Sequence, residues 1–293
     1  MSLDIDATRL SLLLNDLRLP AIKQIWSSFA ERSDTEGWPA ARLLMTLAEH
    51  EIAERDRRRV ERHLRDAKLL PGKTLENFDF DAVPMVSRAH VSALCAGDGW
   101  LRNGTNLILL GPSGGGKSHL SSAIGLSLLE KGWKVFFART TDLVQRLQVA
   151  RRELALESAI NRLDRFDLVI LDDFAYVSKD QAETSVLFEL ISARYEHRSL
   201  CITANQPFGE WDKVFPDRAM TVAAVDRLVH HSTIFELNVE SYRRRMPCSA
   251  SSRDRDARPV ERHQRTLACH RYRRISTAST SPNDRMTRCS HPD

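Results

Sequence analysis

The sequence predicts an α/β fold: a parallel sheet sandwiched by helices, with a small all-helical region in front and an unstructured tail behind. Three observations predict it. Short apolar runs alternate with helical periodicity from residue 76 to about 245, as strands and crossover helices of a parallel sheet do. The first of these runs, Asn106-Leu107-Ile108-Leu109-Leu110, leads directly into Gly111-Pro112-Ser113-Gly114-Gly115-Gly116-Lys117-Ser118. The first 75 residues carry apolar positions at helical spacing and no strand pattern.

Leu10, Leu13, Leu14 and Leu17 mark a first helix, which Leu19-Pro20 interrupts. A second helix is expected over 21–31, with Ile22, Ile25, Trp26 and Phe29 in one stripe. Gly37-Trp38-Pro39 opens a third, with Pro39 suited to its first turn and Leu44, Leu47, Ala48 and Ile52 as the apolar face. Residues 54–65 are charged almost all round. They read either as a solvated helix tied by pairs such as Glu51–Arg55 and Glu61–Arg65, or as a phosphate-backbone contact surface built from Arg55, Arg57, Arg58, Arg59 and Arg62.

Strands are expected at 107–110, 133–138, 168–171 and 199–203. The third, Leu168-Val169-Ile170-Leu171, is apolar throughout, as an interior parallel strand should be. Between them, helices carry Leu120, Ile124 and Leu128; then Leu143 and Leu147 behind a Thr141-Asp142 cap; then Val186, Leu187, Leu190 and Ile191. Trp26, Trp38, Trp133 and Trp211 read as packing residues. From 246 to 293 the pattern ends: ten Arg stand against five acids, with no Lys and no apolar periodicity. Such a stretch reads as disordered. A shifted reading frame and a basic DNA-gripping tail are two explanations for it.

The tail's charge of +5 exceeds the whole chain's +4, so the rest is near neutral and bulk charge does not by itself call for nucleic acid. Five cysteines without paired spacing read as reduced thiols in the cytoplasm. Cys248, Cys269, His270, Cys289 and His291 are too scattered for a zinc site. The acidic start and the lack of long apolar runs suggest neither a secretory signal nor a membrane span.

The chemistry concentrates in residues 111–118. Glycines let the backbone curl until its N–H groups converge, and the following helix adds its own unpaired donors and dipole. A polyphosphate fits that concavity, held by Gly111, Pro112, Ser113, Gly114, Gly115, Gly116, Lys117, Ser118 and His119. Lys117 reaches the β- and γ-phosphates, and Ser118 ligates Mg²⁺. Asp172, at the end of the third strand, is the second magnesium residue. Asp173 beside it is the candidate base for the attacking water. Asn205, at the tip of the next strand, points an amide into the same crevice.

With these motifs the chain resembles the AAA+ ATPases of the IstB/DnaC type, most closely the IstB helpers encoded beside insertion-sequence transposases. The resemblance rests on 111–118, 168–173, Ile202-Thr203-Ala204-Asn205-Gln206-Pro207-Phe208 and Ala224-Val225-Asp226-Arg227-Leu228, and spans about 9–244. It implies a magnesium-dependent ATPase that binds ATP, self-associates on duplex DNA and assists its element's transposase. It also implies that Arg227 is an arginine finger reaching a neighbouring subunit, with Arg218 the competing position, and it favours the DNA reading of 54–65. A DnaC-like helicase loader is the alternative. A small-molecule kinase would need a lid-like arginine cluster, which is not seen, and a gene remnant would not need an intact nucleotide site.

Overall fold

The computed structural model describes residues 2–174, 181–213 and 218–238. Expectations for Arg218's side chain and for the tail, including its scattered cysteines and histidines, lie outside what is described. Residues 1–246 form one compact unit. Three helices come first: α1 (Ser2–Asp16), α2 (Pro20–Glu36) and α3 (Ala40–Ala67). Helix α2 continues past the expected 31 because nothing breaks it before Gly37. That residue closes it in the left-handed conformation (φ 65°), its N–H returning to the Ser33 carbonyl. Pro39 stands one residue outside α3, as its N-cap, rather than in the first turn.

The charged run is the continuation of α3, which is a single helix of 28 residues. Glu51, almost fully buried, accepts the Ala21 and Ile22 N–H groups at 2.9 and 3.1 Å. A carboxylate from α3 thus satisfies free donors at the start of α2, where the helix dipole also favours it. Arg55 pairs with Glu51 and donates to the Arg18 carbonyl, locking the junction of all three helices. The expected Glu51–Arg55 pair is present. Glu61 turns back to Arg57 (2.6 Å) rather than forward to Arg65.

After α4 (Arg88–Leu94), five parallel strands follow: β1 (Asn106–Leu110), β2 (Val135–Arg139), β3 (Leu168–Asp172), β4 (Ser199–Ala204) and β5 (Ser232–Glu236), in the order β2-β3-β4-β1-β5. Period-two alternation divides them between two cores. Ile108, Leu110, Val169, Leu171, Leu200 and Ile202 face one side. That side is covered by α6 (Thr140–Arg152), α7 (Leu156–Leu163), α8 (Gln181–Arg194) and α9 (Arg218–Val229). Leu107, Leu109, Leu168, Ile170 and Cys201 face the other. It is covered by α5 (Lys117–Glu130), by Val60 and Leu64 of α3, and by the segment from Phe78 to Leu101.

Three local expectations need correction. Helix α6 begins at Thr140 with no side-chain cap, so Thr141-Asp142 does not cap it. The Thr140 hydroxyl instead donates to the Asp172 carbonyl at 2.9 Å. The second strand starts at Val135, with Trp133 packed against the core ahead of it. Leu13, Leu17, Leu44 and Ile52 are exposed, because two or three helices cannot cover the whole of one another's apolar stripes.

Candidate nucleotide-binding site

The connection leaving β1 passes over one face of the sheet, and those leaving β3 and β4 pass over the other. A crevice therefore opens at the carboxyl ends of β1 and β4, the place where open α/β sheets hold ligands. Gly111 leaves β1 there, Asn205 leaves β4, and Asp172 ends the adjacent β3.

Gly111 has φ 143°. A Cβ on it would lie 2.4 Å from the Leu237 carbonyl oxygen, just past β5, whose own N–H donates to the Leu110 carbonyl at 2.7 Å. The loop and the edge strand thus meet backbone to backbone. Gly111→Ala is expected to lower unfolding free energy by about 2 kcal/mol, from left-handed strain plus displacement of the β5 end. Urea denaturation monitored by circular dichroism measures it, and an unchanged midpoint would contradict this account.

Gly114 (φ 86°) and Gly116 (φ 90°) complete the turn, and Gly116 is the N-cap of α5. No side chain caps α5, and the start of a helix directs its N–H groups and the positive end of its dipole toward an anion. The Lys117 side chain is buried, and its ammonium donates to the Gly111 and Pro112 carbonyls at 2.8 Å each. Its charge is therefore held over the loop. Ser118 and His119 follow on α5. His119 Nε2 meets the Thr74 carbonyl at 3.0 Å, and its ring packs edge-on against Phe78. Burial pushes its imidazole below the usual range, against the opposing pull of the Thr74 carbonyl. Phe78 also rests on Gly116, where a Cβ would stand 3.2 Å from the ring. The segment from Thr74 to Phe78 thus holds the start of α5 in place.

Asp172 is buried, and desolvation pushes its carboxyl up. Hydrogen bonds from Thr203 and Ser118 oppose that, Asp173 adds to it, and Lys117 opposes it. The two residues expected to hold magnesium, Ser118 and Asp172, thus lie near each other. A hydroxyl and a carboxylate are hard oxygen donors of the kind Mg²⁺ takes with its remaining waters, so the site fits the ion. Asp173 adopts φ 57° and its N–H donates to Thr203 Oγ1. Asn205 is half-buried directly after β4. The sequence reading missed Thr203 and Thr140. The available signal for the first was a hydroxyl within the otherwise apolar stretch Leu200-Cys201-Ile202-Thr203-Ala204.

Arg227 is not brought to this crevice. Its guanidinium donates to the Ala223 carbonyl and lies over the Phe188 ring. The next residue, Leu228, accepts from Asn106, the first residue of β1. Arg227 therefore sits at the amino-terminal end of the strands, opposite the phosphate loop at their carboxyl end.

On α3, Arg57 bridges Glu54 and Glu61, Arg58 pairs with Glu54 and Arg59 with Asp56. Arg62 makes no ion pair among the described residues. Glu196, His230 and His231 also cluster, in the open, where α8 and α9 end. Among the described residues no helix is long and apolar enough to cross a membrane.

A parallel sheet with a glycine phosphate loop after β1, a lysine and serine opening the next helix, and an acid ending a nearby strand defines a nucleotide-binding P-loop protein. The family model described as IstB-like ATP binding protein matches residues 12–250, and the chain belongs to that family. It is 72% identical over 246 residues to a Sinorhizobium fredii (strain NBRC 101917 / NGR234) protein described as an insertion sequence ATP-binding protein, y4iQ/y4nD/y4sD, covering 84% of this chain and 83% of that one. It is 33% identical over 251 residues to the IS21 protein of the same description from Pseudomonas aeruginosa, covering 86% and 94%. A crystal structure described as a DNA replication initiation factor superposes with a TM-score of 0.50 at 19% identity, over 59% of this chain and 51% of that chain, which supports the fold.

Proposed function

We propose that the protein is a magnesium-dependent ATPase that assembles on duplex DNA and assists the transposase of its insertion sequence. The observation carrying this reading is the Lys117 ammonium held over the phosphate loop by two loop carbonyls, with the buried Asp172 carboxylate, bonded to Thr203, ending β3 nearby. Names of the relatives, which place them in insertion sequences, support the biological setting.

In this reading the loop amides and Lys117 hold the triphosphate, and Ser118 with Asp172 holds the ion. Magnesium held there would supply charge neutralisation to the triphosphate. Asp173 orients and deprotonates the attacking water, and Asn205 hydrogen-bonds the γ-phosphate or that water. Arg227, at the end of its own sheet away from the phosphate loop, serves a neighbouring subunit's nucleotide, which makes hydrolysis conditional on assembly. Residues 76–245 carry this ATPase site.

The helical region to residue 75 carries the DNA contact. Arg57, Arg58, Arg59 and Arg62 form its phosphate-facing surface, while Arg55 secures the helix junction. The intrahelical pairs of Arg57, Arg58 and Arg59 are about half exposed, worth about 0–1 kcal/mol each, so phosphates can replace their acids at little cost.

Gel-shift titration on duplex DNA across salt, with and without ATP, tests this. Binding should require ATP and weaken steeply with salt. Replacing Arg58 and Arg62 by Ala should reduce the log–log salt slope by about 2. No binding with ATP at low salt would overturn the DNA reading and favour a protein-loading role.

A further inference from the structure

Thr203 is completely buried in β4, on a strand whose other side chains from Leu200 to Ala204 are apolar or a thiol. A valine has the same shape and would remove the cost of burying a hydroxyl. The hydroxyl has two partners. It donates to Asp172 Oδ1 at 2.6 Å and accepts the Asp173 N–H at 3.0 Å. The register places Leu171 opposite Ile202, so Asp172 and Thr203 are neighbours across the β3–β4 ladder.

We infer that Thr203 is the positioning residue of the magnesium site, fixing Asp172 for the ion and Asp173 for the attacking water through one hydroxyl. This rests on the ATPase reading and deepens it. One oxygen of Asp172 is committed to β4, which orients the carboxylate and leaves Oδ2 for the hydrated ion. The accepted N–H holds Asp173 in the left-handed conformation at φ 57°, which sets the direction its carboxylate leaves the chain. That conformation is disfavoured for most side chains and needs support from its surroundings. The same hydroxyl ties both acids to β4, which Asn205 directly follows, so all three groups share one anchor. Thr203 touches neither nucleotide nor ion and acts only through the two aspartates.

The test uses the full chain and two variants, Thr203→Val, which keeps shape, and Thr203→Ser, which keeps the hydroxyl. Affinity for a fluorescent ATP analogue is titrated in EDTA and again against Mg²⁺. Bound Mn²⁺ is counted by electron paramagnetic resonance, and kcat is measured alongside. For Thr203→Val, nucleotide affinity in EDTA should stay within about twofold of the parent. Half-saturating Mg²⁺ should rise and kcat fall by about tenfold or more, the scale of one lost hydrogen bond to a charged group. Thr203→Ser should restore both.

Unchanged magnesium dependence and turnover in Thr203→Val would overturn the inference. So would equal losses with and without the metal, or a Thr203→Ser protein no better than Thr203→Val. Should Thr203→Val fail to fold, Thr203→Ala against Thr203→Ser carries the same comparison. A parent protein binding no ATP analogue under either condition would overturn the ATPase reading itself, and this inference with it.

Discussion

Lys117→Ala is expected to weaken ATP binding by a factor of about 30 to several thousand, the 2–5 kcal/mol that truncating one partner of a buried charge pair costs. The ammonium is nearly fully buried and held by two loop carbonyls. It is therefore oriented before any phosphate arrives, and no mobile surface lysine can replace it. The loop's shape comes from its glycines and from the β5 contact at Gly111, so the fold should survive the substitution. Calorimetric titration with ATP checks the affinity, and a melting curve checks the fold. Affinity within threefold of the parent would remove Lys117 from the phosphate site.

Asp173→Asn is expected to bind ATP within about threefold of the parent and to hydrolyse it about 10²- to 10⁴-fold more slowly, the usual contribution of a positioned base. The substitution is well controlled. Asparagine tolerates the left-handed backbone as aspartate does, so the φ 57° turn and its N–H donation to Thr203 should persist. Only the basic oxygen is lost. Single-turnover release of phosphate, read beside nucleotide affinity, separates chemistry from binding. A variant turning over at the parent rate would assign the base elsewhere. Under the assembly reading, this variant should also remain on DNA after ATP is supplied.

The interior of the fold was readable because parallel strands buried on both faces appear as unbroken apolar runs, as in Leu168–Leu171 and Leu107–Leu110. Strand β5 was not read. Of Ser232-Thr233-Ile234-Phe235-Glu236, only Phe235 is buried, because an edge strand has one ladder partner and an open flank. Helix α7 was missed for a related reason: it is eight residues long and buries only Ile160 and Leu163.

In the site, Gly111, Lys117, Ser118 and Asp172 were legible because phosphate and metal chemistry demand those residue types at fixed spacing. Thr203 was not, since its meaning depends on which strand lies beside β3, and sequence does not state neighbours in a sheet. The charged stretch of α3 shows the same limit. Its sequence allowed either intrahelical ion pairs or a phosphate-facing surface, and the fold gives Arg57, Arg58 and Arg59 acidic companions one turn away.

Helix α3 packs against α2 along its course and against β2 and α5 near its end. It is an uninterrupted rod of 28 residues, about 42 Å long. A stiff lever of that length amplifies: a tilt of about 5° at its foot sweeps the far end through about 4 Å. Small readjustments of α5, the helix that begins with Lys117, can thus be converted into ångström-scale travel of the distant helical pair without any joint between them.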